Sequence, residues 1–261
     1  MTGEGRPTAE QVLDDMVAAY RAADTYFDNA EYHERFVQRG DGVPRRSEPH
    51  QVSVAWQRPR RLRVTRQAPA PGGKGLRVTL ACDGNRVRLR SSDHPAECID
   101  RPAPEALQRG DILSLGEAAG TLLPVPLENL YPQLELLLST DKSPPKLLLS
   151  ADASLLPSDD LQGAACHRVR IDRPAGKYIA WIDQQTHLLR RLEMPTDEVR
   201  RQLDPKNALM RLDLWIDFKD ATFNTPISVK AFQLEPGAGV ALVESFQADQ
   251  SPASKPAASD Q

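Results

Sequence analysis

From Met210 to Phe218 the chain alternates without a break: Met210, Leu212, Leu214, Ile216 and Phe218 are apolar, and Arg211, Asp213 and Asp217 stand among the residues between them. A period of two puts all five apolar side chains on one face, the pattern of a long antiparallel strand with one side buried. Shorter alternations follow at Ile227-Val229-Ala231 and Val240-Leu242, with turn residues at Asn224-Thr225-Pro226 and Pro236-Gly237-Ala238-Gly239. This predicts a three-stranded closing meander over 208–246. A meander with one apolar face needs a cover, so another part of the chain has to supply one.

Upstream, Thr8 and Gln11 make a capping-box pattern, and Val12, Leu13, Met16, Val17 and Tyr20 fall on one stripe of an amphipathic helix that ends near Ala23-Asp24. A strand is predicted over Thr25 to Gln38. Val52, Val54 and Trp56, then Leu62 and Val64, then Leu76, Val78, Leu80 and Cys82 each alternate with polar or small residues. With the turn Asp83-Gly84-Asn85 and the pair Val87 and Leu89, they read as another meander. The period changes after Pro102. Leu127, Leu130, Tyr131, Leu134, Leu137 and Leu138 recur at helical spacing behind the breaker Pro124-Val125-Pro126, and Leu123 and Leu136 widen the stripe. A Leu-rich helical insertion over about 102–140, set between two runs of strands, could roof an open sheet. Strands resume at 146–150, 165–172, 178–183 and 188–194, with a short helix over 196–203. Residues 1–7 form a disordered lead, 8–247 one domain, and 248–261 have the Ala/Ser/Pro composition of a flexible linker.

Only fourteen of 261 residues are aromatic, so the interior is built mainly from Leu, Val, Ile and Ala, which suits a broad aliphatic surface. Net charge is −3, but between Arg45 and Arg101 thirteen Lys/Arg face five Asp/Glu. Arg58, Arg61, Arg63, Arg86, Arg88 and Arg90 belong to this stretch. They fit the solvated outer face of a sheet, or a docking surface for anionic lipid headgroups or an acidic envelope partner. No aromatic platform is interleaved with them and the whole chain is acidic, which excludes nucleic acid. No run of about eighteen apolar residues exists, so the chain is not expected to span a membrane. Its first residues lack the apolar core of a secretory signal; with Met1 as the natural start the protein would be cytoplasmic.

No catalytic constellation emerges: Gly-x-Ser-x-Gly, His-Glu-x-x-His, P-loop and Gly-x-Gly-x-x-Gly patterns are all missing. Asp213 and Asp217 sit four apart on one strand face, where solvation is the simpler explanation than a catalytic pair. Cys82 and Cys98, sixteen apart, could form a disulfide in an oxidising compartment, buried free thiols being the alternative. His94 joins them as a third potential zinc ligand, but no fourth is at hand and no metal or cofactor is expected. The residues point to a binding surface and not to an enzyme.

The order of elements, together with Ala9 to Phe36, the segment YIAWIDQQTHLLRRLEM over 178–194, and Phe223 to Phe246, resembles the outer-membrane lipoprotein carrier (LolA-type) superfamily. It is similar, too, to the uncharacterised branch found ahead of thioredoxin-like domains in bacterial envelope proteins. The resemblance implies a mainly β (α+β) fold: an incompletely closed antiparallel β-barrel, or half-barrel, with an N-terminal helix and a helical lid. It implies a periplasmic or envelope location with a signal peptide removed, and a monomeric, non-enzymatic domain that receives a lipid, an acyl chain or another hydrophobic ligand. Trp56, Leu123, Leu127, Leu130, Tyr131, Leu134, Leu138, Trp181 and Leu214 would then line the ligand cavity. The alternative is an interaction or sensor module that positions an attached thioredoxin-like redox domain.

Overall fold

The computed structural model describes residues 6–40, 42–69, 75–108, 131–140, 142–145, 152–174, 176–197, 200–201, 204 and 208–246. The expected strand at 146–150, the lead at 1–5 and the linker at 248–261 lie outside the described residues. Helix α1 covers Ala9–Ala22. Its start is the predicted capping box: Gln11 N–H donates to Thr8 Oγ1 (3.2 Å), and Thr8 N–H donates to Gln11 Oε1 (2.8 Å). Val12, Leu13, Met16 and Tyr20 are buried along one stripe.

Among the described residues thirteen strands form a single sheet that does not close on itself. At its centre lies β1 (Thr25–Gln38), paired antiparallel along nearly its whole length with the last long strand, β12 (Leu209–Phe223). On one side β3 (His50–Gln57), β4 (Arg61–Ala68), β5 (Leu76–Cys82), β6 (Arg86–Ser91) and β7 (Glu97–Pro102) meander outward from β1, and the short β2 (Pro44–Arg46) adds to the end of β1. On the other side β8 (Asp152–Leu161), β9 (Ala164–Arg173), β10 (Gly176–Asp183) and β11 (Leu189–Met194) meander back inward to β12. The chain between β7 and β8 therefore has to cross from one edge of the sheet to the other. Helix α2 (Pro132–Leu137) belongs to this crossing, and its leucines join α1 in the core on the sheet's inner face.

The strand parity holds within each regular stretch and changes at the register shifts in β11 and β12. Tyr26, Ala30 and Tyr32 of β1, Val52, Val54 and Trp56 of β3, Leu62 and Val64 of β4, and Ile216 and Phe218 of β12 belong to one core cluster with Val12, Met16, Tyr20, Leu134 and Leu137 of the helices. That is the greasy side; the intervening residues face outward.

The closing meander is not formed as predicted. β12 is the long strand that the alternation promised, but Ile227 to Ala231 does not pair. A 3-10 turn, Val229–Phe232, lies there, and β13 (Ala241–Val243) joins β7 at the far edge, parallel to it. Guanidiniums take the carbonyls that a strand partner would have taken. Arg63 donates to Ala231 O (3.2 Å) and Gln233 O (3.1 Å), Arg88 to Leu234 O (3.1 Å), and Arg101 to Glu244 O (2.9 Å). Arg63 and Arg88 sit on the outward parity of β4 and β6, so residues 229–234 lie as a strap across the outer face, whereas Val243 and Phe246 return to the inner core.

Of the two outcomes open to Cys82 and Cys98, the structure has the free thiols: both, and that of Cys166, are buried and unbridged. Cys82 pairs with Val87 of β6 and Leu89 with Ile99 of β7, so Cys98 lies two strands away and about three residues along. Two strand spacings alone come to about 9–10 Å, past the reach of a disulfide. Cys82 also belongs to the inner core, whereas the neighbour of Cys98 that does so is Ile99. Thiol titration in denaturant without reductant should give three thiols per chain, and reductant should leave the melting temperature unchanged.

Candidate functional site

The inner face is where the sheet, α1 and α2 meet, and it is not purely aliphatic. Two apolar-parity positions carry charge. Asp28 follows Tyr26 on β1 and is fully buried; it accepts from Tyr26 Oη–H (2.7 Å) and from Val54 N–H (3.2 Å). Burial is the largest influence on it and pushes its carboxyl up to about 7, against these hydrogen bonds, which act the other way. Tyr20 Oη, next to Tyr26 at a ring separation of 5.4 Å, accepts from Leu189 N–H (3.3 Å). Burial raises both phenols.

Arg66 is the second. It continues the Leu62, Val64 series of β4, opposite Val52 on one side and Val78 on the other, and is only 6 % exposed. Among the described residues its guanidinium has no carboxylate partner, and Nε has no hydrogen bond at all. The phenols of Tyr131 and Tyr32 act on it electrostatically, and burial holds its pKa below the ordinary arginine value. Tyr32 is 9 % exposed and its Oη is likewise without a partner. Burial and then the Arg66 charge lower the pKa of His50, on the same parity of β3.

Helix α2 closes over this interior and all six of its residues are buried. Six residues are about one and a half turns, too few for a helix to hold itself together, and Tyr131 at its N-cap offers no side-chain cap. Gln133 adjoins Asp28 closely enough to affect its titration, yet neither Oε1 nor Nε2 makes a hydrogen bond of good geometry. An unpartnered buried amide costs about 1–3 kcal/mol. At its far end α2 is tied to α1 by Arg21, which donates to Ser139 Oγ (3.0 Å) and Thr140 O (2.9 Å). Docking of α2 thus depends on Leu134, Leu136 and Leu137 working against orphaned polar atoms.

Of the residues expected to line a cavity, Trp56 and Leu134 lie in the inner core and Tyr131 and Leu138 pack against it. Leu123, Leu127 and Leu130 lie outside the described residues. Leu214 keeps the inner parity, but beyond the helices, in a separate small cluster with Leu212, Phe36 and Met194. Trp181 is on the other face. Tyr178, Ala180 and Ile182 take the inner positions of β10, which turns Trp181 outward. Its ring there lies under Arg168 (4.5 Å), and Nε1–H donates to Glu193 Oε1 (2.8 Å). Asp28, Arg66, Tyr32 and Gln133 were not anticipated. The signal was present in the interrupted alternations Tyr26-x-Asp28-x-Ala30 and Leu62-x-Val64-x-Arg66, where a charge occupies an inward position.

The outer face carries a polar cleft of about 510 Å³ around Trp215. His33 stacks on that indole at 5.0 Å, Arg35, Arg46 and Arg191 surround it at 5.8 Å, and Arg191 Nη2–H donates to Asp217 Oδ2 (3.0 Å). Burial lowers the pKa of His33. Asp213 is paired with Arg35 and Arg211, and Asp217 with Arg191; they are members of an ion-pair network. The basic stretch is also largely committed internally. Arg86 and Arg88 share Asp100, Arg63 and Arg88 hold the strap, Arg58 bonds the carbonyls of Arg21 and Ala23, and Arg61 donates to Gln57; Arg90 follows on the same parity. His94, a zinc-ligand candidate, stacks on Phe246 at 4.4 Å. Among the described residues no three His, Cys, Asp or Glu gather as a metal site, and no helix is long and apolar enough to cross a membrane.

No protein-family model matches this chain. No curated protein matches it either. Among solved structures it is similar to lipoprotein LppX of Mycobacterium tuberculosis, at 11 % identity over 84 % of this chain and 96 % of that one, with a TM-score of 0.40. A LolA superfamily protein from Nitrosomonas europaea is 11 % identical over 87 % and 98 %, with a TM-score of 0.32. MucB is 14 % identical over 90 % of this chain and 65 % of its own, with a TM-score of 0.42.

Proposed function

We propose that this is a non-enzymatic binding domain for a lipid, an acyl chain or another hydrophobic ligand, which enters between the inner sheet face and α2. The observation that carries the reading is the closure itself: beside α1, the aliphatic inner face is covered by a six-residue helix whose buried Gln133 amide, next to Asp28, makes no hydrogen bond of good geometry. A closed state held so weakly can exchange its own leucines for a ligand's methylenes at small net cost, since each buries comparable apolar area at about 25 cal/mol per Å². An extracytoplasmic location belongs to the same reading and draws on the resemblance of the sequence to the lipoprotein carriers.

The neutral apolar fluorophore N-phenyl-1-naphthylamine should bind saturably at micromolar concentration. Gln133→Leu removes the orphaned amide, so it should stabilise the closed domain by about 1–2 kcal/mol and weaken the probe roughly 5–30-fold. Absence of saturable binding would refute the reading. A stabilised variant with unchanged affinity would show that α2 is not the element displaced.

A further inference from the structure

We infer that the ligand is an amphiphile with an oxyanion head, a carboxylate or a phosphate, seated between Arg66, Tyr32 and Tyr131 at the polar end of the inner face. The inference rests on the binding reading above and adds the chemical class of the ligand.

Arg66 is the reason. A guanidinium shielded from water and left without a counter-charge is costly, and such groups are normally paired. Here the pairing is missing among the described residues although the sheet has carboxylates to spare: Arg86 and Arg88 share one, and Arg191 and Arg35 each hold one, all on the outer face. Arg66 alone of these five faces inward. Nor can Arg66 escape by losing its proton, since a guanidinium stays charged at any physiological pH. Tyr32, two strands from Arg66 and one inner position further along, acts on it electrostatically, and its unpartnered hydroxyl adds an O–H donor with nothing to donate to. A fork of N–H groups beside phenol donors is a complement for the two or three oxygens of an oxyanion. Around it Val52, Val64 and Val78 and the leucines of α2 offer apolar surface. A small free anion would fit the head position but leave the aliphatic face unused; a tail gives that face its occupant.

The test compares cis-parinaric acid with its methyl ester, two fluorescent probes that share a chain and differ in the charge of the head. The wild-type protein should bind the acid about tenfold or more tightly than the ester, and excess inorganic phosphate or acetate should not displace it. Arg66→Met should abolish this preference while ester affinity stays within about threefold; Arg66→Lys, which keeps charge but not the fork, should retain part of it. Equal binding of acid and ester by the wild type overturns the inference, as does a preference that survives in Arg66→Met. Displacement of the acid by phosphate or acetate alone would reassign the site to a small anion. If Arg66→Met does not fold, the wild-type ratio alone decides. Ester that binds without discrimination leaves the binding reading standing and removes only this one, whereas failure of both probes removes the binding reading itself.

Discussion

Replacing Asp28 with asparagine should stabilise the domain above neutral pH by up to about 4 kcal/mol and flatten its stability between about pH 4 and pH 7. The argument is linkage. In the unfolded chain this carboxyl titrates near its ordinary value of 3.8, and in the folded protein burial lifts it to about 7. Between those two values the native state holds a proton that the unfolded state releases. The group's contribution is therefore most favourable below pH 3.8, is lost progressively as pH rises toward about 7, and stays lost above that. Three pKa units correspond to roughly 4 kcal/mol at 1.36 kcal/mol each, an upper bound for a group that is fully shielded from solvent. Asparagine is neutral at every pH and can still accept from Val54 N–H and meet Tyr26 Oη. Urea denaturation of both proteins at pH 5 and pH 8.5 reads the difference. The variants should differ by roughly 1.5 kcal/mol at the lower pH and by up to about 4 kcal/mol at the higher. A wild-type protein whose stability rises across this interval would show that Asp28 is ionised in the fold. The neutral acid also has an O–H to donate, and Gln133 Oε1 beside it lacks a donor. Acidification through neutrality should therefore reinforce the closure of α2 as well as the fold.

The sequence discloses the regular parts of this architecture because their signals are local. Thr8 and Gln11 mark the start of α1 by a reciprocal pair of hydrogen bonds, and the unbroken alternation of Met210 to Phe218 leaves β12 no other way to bury its apolar side. The open sheet with helices on its inner face follows from the same period-two and helical patterns. What the sequence hides is set by distant partners. Ile227-Val229-Ala231 has the spacing of a strand, but the carbonyls of 231, 233 and 234 are taken by Arg63 and Arg88, some 150 residues earlier. Trp181 looks like an interior residue by composition, yet Tyr178, Ala180 and Ile182 hold the inward positions, and nothing local says which parity wins. The same is true of the candidate site. Arg66 reads as one arginine in a basic run, and only the register that aligns it with Val52 and Val78 reveals that it points inward. Asp28 and Gln133 are 105 positions apart and become neighbours only because the crossing from β7 to β8 carries α2 over the face of β1.

Phe232→Ala should destabilise the domain by about 3–5 kcal/mol, the cost of emptying a fully enclosed phenylalanine site. Phe232 has no exposed surface, yet it does not belong to the inner core; it ends the 3-10 turn of the strap that Arg63 holds down on the outer face. The outer face of β4 to β6 is thus covered by the chain's own last segment. Two consequences separate this from an ordinary core truncation. Because the strap lies outside, its loss should leave the inner face intact: the folded fraction of Phe232→Ala should bind N-phenyl-1-naphthylamine with wild-type affinity, while proteolysis within 233–240 becomes much faster. Arg63→Ala should act in the same direction and less strongly, since it frees the carbonyls of Ala231 and Gln233 to water without opening a cavity. A loss below about 1 kcal/mol for Phe232→Ala would mean that the strap contributes no packing. Probe binding lost in parallel with strap cleavage would place the ligand on the outer face and so reverse the assignment of the two sides of the sheet.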